Sequence, residues 1–174
     1  MEKYQLAKLI ESAGGSIRTR KRIQKIVFLL QASGCDLDLD YRLHHYGPYS
    51  SELAAILDEM VSQSILDENM QPNAVGRQYD YSLSSIAQDS LASFESTARG
   101  SKMKEEFMSF AEVVKSLVTQ DDLWTLELGS TIAYFHQRGK SWDEAVEEAC
   151  KFKNVSHSDG RTEKAFAFVS NLVG

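Results

Sequence analysis

The sequence predicts a mainly α-helical fold with a small β-hairpin: a winged helix-turn-helix followed by a C-terminal helical bundle. Three observations predict it. Apolar residues recur at helical spacing along most of the chain. Residues 79–83 alternate instead, Tyr79, Tyr81 and Leu83 with Asp80 and Ser82, which is the period of a half-buried strand. The segments run helix, helix, short strand, helix, hairpin, then helices to the end. The expected division is a winged-helix-like domain over 1–97 and a helical region over 98–174 packed on it.

Leu6, Leu9, Ile10 and Ala13 make the first helix, ended by Gly14 and Gly15. Thr19 is placed to cap the second helix by accepting from a free N–H. Its stripe is Ile23, Ile26, Val27 and Leu30, and it stops near Gly34. Residues 41–46 are β-prone, and Gly47-Pro48 predicts a turn. Ser50 or Ser51 then opens a third helix with Leu53, Ile56, Leu57, Met60 and Val61 inward. Residues 65–70 and 79–83 pair as a hairpin around a polar loop over 71–78.

The second half is helical. Ser85 with Gln88 matches a capping box. Residues 96–103 are polar and contain Gly100, which predicts a hinge or loop. Phe107, Phe110, Ala111, Val114, Leu117 and Val118 form one amphipathic stripe. Asp121 and Asp122 suit a helix N-terminus. The helix 123–137 is apolar on several sides, so it is expected to be buried among 104–117, 141–150 and 162–173. Gly139 stops it, Ser141 with Glu144 forms a second capping box, and Ala165, Phe166, Val169, Leu172 and Val173 mark the last helix.

Composition bounds the function. The 174 residues suit one domain or a small domain with an extension. No apolar run is long enough to cross a membrane, and residues 1–10 lack a signal-peptide core. Two cysteines are too few for a disulfide scaffold, so the expected compartment is the cytoplasm. The net charge of −6 is uneven: residues 1–50 carry +3 and the remainder −9. Arg18, Arg20, Lys21, Arg22 and Lys25 lie in a stretch without a single acid and are the candidate contacts to nucleic-acid phosphate.

The sequence offers no catalytic constellation. Cys35 and Cys150 form no C-x-x-C pair, and His44 and His45 point to opposite faces of a strand. Asp36, Asp38 and Asp40 have the spacing that starts a calcium loop, but Tyr41 stands where glycine is needed and Gly47 where glutamate would close it. P-loop, dinucleotide, nucleophile-elbow and zinc-protease motifs are absent. Hence no catalytic residue, metal ligand or cofactor is expected, and the chain is not read as an enzyme.

The third helix holds Glu52, Asp58 and Glu59 but no Lys or Arg. Carboxylates repel phosphate, and base-reading arginines are missing from the element a helix-turn-helix inserts into DNA. Only Arg77 on the hairpin is positive. Tyr41, Tyr46 and Tyr49 surround Gly47-Pro48, either as a packed corner or as aromatic anchors for a partner.

Residues 22–31 (RIQKIVFLLQ), 45–53 (HYGPYSSEL), 126–135 (LELGSTIAYF) and 142–146 (WDEAV) resemble the YwgA-like family of uncharacterised prokaryotic proteins along nearly the whole chain. Gln24-Lys25 followed by an apolar helix and Tyr46-Gly47-Pro48 is similar, more distantly, to the Panacea/SocA-like antitoxin and adaptor proteins. That second resemblance implies a protein partner, such as a toxin or a protease, rather than catalysis. Two functions are therefore expected in order: a protein-interaction module contacting its partner through Tyr46, Tyr49, Glu52, Asp58 and Glu59, and a winged-helix transcriptional regulator whose DNA contact is weak.

Overall fold

The computed structural model describes residues 1–73 and 76–173, with side chains for all of these except 72, 73, 76 and 77. The chain runs α1 (Lys3–Ser12), β1 (Ser16–Arg18), α2 (Arg20–Ala32), β2 (Arg42–His44), β3 (Gly47–Tyr49), α3 (Ser51–Ser62), β4 (Leu66–Asn73), β5 (Gly76–Leu83), α4 (Ser85–Glu95), α5 (Ala98–Met108), α6 (Ala111–Val118), α7 (Leu123–His136), α8 (Trp142–Lys153) and α9 (Gly160–Val173). It is mainly helical, with two small antiparallel sheets among the helices. One sheet has the order β1-β5-β4 and the other pairs β2 with β3.

The first three helices form as the apolar spacing predicts. Leu6, Leu9 and Ile10 of α1, Ile23 and Ile26 to Leu30 of α2, and Leu53, Leu57 and Met60 of α3 are buried in one connected core. Thr19 caps α2 by accepting from the Arg22 N–H, and Ser50 rather than Ser51 caps α3 by accepting from the Leu53 N–H. Residues 16–18 were not expected as a strand. β1 has a single buried residue, Ile17, and gains its structure by pairing with β5, Ile17 opposite Tyr81.

The β4–β5 hairpin is longer than expected. Pairing continues from Leu66↔Leu83 through Gln71↔Gln78 to Asn73↔Gly76, so most of the polar 71–78 segment is strand rather than loop. Pro72 is tolerated because β4 is an edge strand, where a missing N–H need not break a ladder. The side chain of Arg77, the positive group expected there, lies outside the described residues.

Residues 41–49 are also corrected. The chain reverses at His45 and Tyr46, and Gly47-Pro48 begins the returning strand, with His44 opposite Gly47 and Leu43 opposite Pro48. Gly47 has φ +94°, the conformation that follows such a turn and that glycine adopts without strain.

Three further expectations change in the second half. Ser84, not Ser85, caps α4 by accepting from Ala87 N–H, and Gln88 donates to the Leu83 carbonyl instead of closing a capping box. The expected hinge at 96–103 is helical, with Thr97 capping α5. Its glycine serves close packing: a Cβ on Gly100 would lie 2.0 Å from the Phe94 carbonyl oxygen. The single stripe of 107–118 is split, because α5 ends at Met108 and α6 starts at Ala111.

The central helix is α7. Every residue from Thr125 to Tyr134 is buried, as the all-round apolar pattern requires. Its main neighbours are α8, α9, α2 and β3, whereas α6 packs on α2 and α1. The expected packing against 104–117 is therefore replaced by packing on α2 and the β2–β3 ribbon. Asp122 caps α7, and Ser141 with Glu144 makes the expected capping box of α8.

Candidate functional site

Of the residues singled out in the sequence, Arg20, Lys21, Lys25, Tyr46 and Tyr49 meet around the β2–β3 ribbon. Gln24 and Lys25 on α2 are buried; Lys25 binds the ribbon's backbone and Gln24 that of Ser50, the α3 cap that follows it. Gln24 donates to the Ser50 carbonyl (2.8 Å) and accepts from the Ser50 N–H (2.9 Å). Lys25 Nζ donates to the Pro48 carbonyl at 2.5 Å. Two turns further along α2, Gln31 holds Leu39 by the same reciprocal pair, at 2.9 and 3.0 Å. The helix thus fixes two passing loops by satisfying buried backbone groups that have no ladder of their own.

From the other side, α7 closes on the ribbon. A Cβ on Gly47 would lie 2.6 Å from Thr131 Oγ1, so only glycine fits beneath α7 there. Glu127, 7% exposed, receives Lys21 on one oxygen (3.1 Å) and Lys153 of α8 on the other (3.2 Å). Lys21 Nζ also sits 3.7 Å from the centre of the Tyr46 ring, a cation–π contact. Three ammonium groups therefore gather near one carboxylate. Burial, then the charge of Lys153, holds the Lys25 pKa down at about 7, although Glu127 partly opposes the shift. Burial also lowers that of Lys153, against the pull of Glu127.

Of the expected partner-binding residues, Tyr46 is 59% exposed at the ribbon's tip. Tyr49 is half-buried, its ring 5.0 Å from His44. Glu52, Asp58 and Glu59 are exposed on α3. Two already hold cations: Asp58 pairs with Arg20 (2.6 Å) and Glu59 with Lys3 (2.5 Å). Tyr41 is different, packing edge-on against Phe28 with its hydroxyl enclosed.

The five cations expected to meet phosphate do not form one surface. Lys25 is internal, with 2% exposure. Arg20 also donates to the Tyr81 hydroxyl and pairs with Glu68. Arg22 donates to the carbonyls of Gln120 and Asp121, fastening α2 to the start of α7. Arg18 is exposed and, among the described residues, has no ion pair or side-chain hydrogen bond. The sequence cluster was missed as a set of fasteners because its partners are backbone carbonyls and acids 23 to 106 residues away.

Among the described residues, no three His, Cys, Asp or Glu side chains gather as a metal site, and no helix is long and apolar enough to cross a membrane. No family model matches the chain. A protein of Bacillus subtilis (strain 168), uncharacterized protein YwgA, is 26% identical over 153 residues, covering 84% of this chain and 92% of that protein. The chain is thus distantly similar to an uncharacterized bacterial protein.

Proposed function

We propose that the chain is a non-enzymatic protein-interaction module on a winged-helix scaffold, adaptor-like or antitoxin-like, working in the cytoplasm. Its partner, a toxin, a protease or another protein, docks on α3 and the adjoining ribbon. The scaffold reading is supported by the order α1, β1, α2, α3, β4, β5, with the β2–β3 ribbon inserted between α2 and α3 and β1 paired to the returning hairpin strand. The free, buried Cys35 and Cys150 suit a reducing compartment.

One observation carries the choice of partner. The helix in the position of a recognition helix exposes Glu52, Asp58 and Glu59 and contains no Lys or Arg. A basic protein surface complements Glu52, which has no ion pair among the described residues, and would take over Asp58 and Glu59 from Arg20 and Lys3; Tyr46 and Tyr49 supply the aromatic contact area typical of binding hot spots. The alternative, a DNA-binding regulator, draws on exposed Arg18. It would also require Arg20, Lys21 and Arg22 to leave the partners described above.

The experiment is affinity capture with the full chain and with a Glu52→Lys/Asp58→Lys/Glu59→Lys variant of unchanged circular dichroism. Loss of the captured protein in the variant supports the proposal. Retention of the same protein, or nanomolar sequence-specific DNA binding by the unmodified chain, overturns it.

A further inference from the structure

A pocket of about 290 Å³ lies between the first turns of α2 and the β2–β3 ribbon. Arg20, Lys21, Lys25, His44 and His45 line it, and no carboxylate does, in a chain whose net charge is −6. Behind it, Lys21, Lys25 and Lys153 share the single carboxylate of Glu127. Lys25 has three protons to donate when charged and, among the described residues, one neutral acceptor, the Pro48 carbonyl. A buried ammonium without a counter-ion is unfavourable. Arg20 is answered by Asp58 and Glu68. The surplus charge is that of Lys21, Lys25 and Lys153 against Glu127 alone, and it is greatest below about pH 7, where Lys25 is protonated.

The pocket wall is mostly carbon, with Tyr46 and Tyr49 among its rings. A fully hydrated inorganic ion would lose its water against such a wall without recovering it. A ligand with a flat apolar body fits the rings, and its anionic head answers the lysines. The volume lies at the small end of ligand pockets, room for about one aromatic ring with a charged substituent.

We propose that this pocket binds a small aromatic or flat apolar anion, its carboxylate or phosphate head held by Lys21 and Lys25. The site shares Tyr46 and Tyr49 with the partner surface proposed above, but the lysines that hold the head lie on α2, and binding of a small anion is measured with no partner present.

The test is an NMR titration of the full chain with four probes: phenyl phosphate, benzoate, inorganic phosphate for the head alone, and benzyl alcohol for the ring alone. The expected result is one site per chain for phenyl phosphate, benzoate or both, at least about tenfold tighter than for either fragment. Shifts should centre on residues 44–49 and Lys21, and the tighter of the two anions assigns the head group. Lys25→Met and, independently, Lys21→Met should each weaken that binding at least about tenfold. If Lys25→Met fails to fold, Lys21→Met alone decides. Equal binding of benzyl alcohol and the anions overturns the proposal. So do absence of binding at about 10 mM, shifts centred on Arg18 and Arg22, and unchanged affinity in Lys21→Met.

Discussion

At Lys25 the chain buries an ammonium group, and its folded pKa of about 7 lies below that of a lysine in the unfolded chain. Between these two values the unfolded chain holds a proton that the folded protein has released. Stability therefore rises with pH across that window, while the cost of the buried charge is fully present below about pH 7. Denaturant midpoints of the wild type and Lys25→Met, measured from pH 6 to 10, should show the wild type gaining on the variant by a few kcal/mol, on the order of the shift. A pH-independent difference would contradict the burial of a titrating Lys25. Gly47→Ala should cost about 1–3 kcal/mol from backbone strain alone, plus the contact with Thr131. Adding Thr131→Ala should recover the contact part but not the strain, a non-additivity that a double-mutant cycle measures. The turn geometry at Gly47 was legible in the sequence, but neither its contact with Thr131 nor the burial of Lys25 was. Lys25 looked like one of five surface cations because the stripe of Ile23, Ile26, Val27 and Leu30 leaves it outside. The ribbon and α7 cover that remaining face, and coverage from segments more than 20 residues away leaves no local periodic signal.

Among the elements, the long helices were the readable part, since α1, α2, α3 and α8 each carry an apolar stripe and α7 is apolar on several sides. What periodicity missed was short or held by others. β1 is three residues with one buried side chain, and it exists as a strand through β5. The β2–β3 ribbon was visible only as β-prone residues near a turn signal, which moved its reversal by two positions. Gly100 was read as a loop-former although it is the glycine that lets α5 pass the end of α4, because close approach and flexibility call for the same residue. In α7, which packs on α8, α9 and α2, Leu128 is fully buried. Leu128→Ala should destabilise by about 2–5 kcal/mol, read as a lower denaturant midpoint at constant slope. A loss under about 0.5 kcal/mol, the range of surface changes, would contradict a central α7.

For the whole molecule, charge placement ranks the functional readings. The sequence showed the basic start of α2 and the acidic remainder, but not that the two are joined: Arg20 to Asp58 and Glu68, Lys21 to Glu127, Lys3 to Glu59. With Lys25 inside, about four of the five cations remain for phosphate. The log–log salt slope of any DNA binding should then be no steeper than about −3.6. A fluorescence-anisotropy salt series checks it, and a slope near −9 would mean about ten phosphate contacts that this arrangement does not offer.

The claim at the centre of this account is that α3 and the neighbouring ribbon tip meet a protein. Site-specific photo-crosslinking in the producing cells tests it most directly, with the probe placed at Ala55 on the exposed face of α3, at Tyr46, and at exposed Met108 of α5 as the control. The account predicts the same discrete protein adduct from positions 55 and 46 and none from 108. Adducts to DNA at 55, or a protein adduct at 108 with none at 55 or 46, would contradict it.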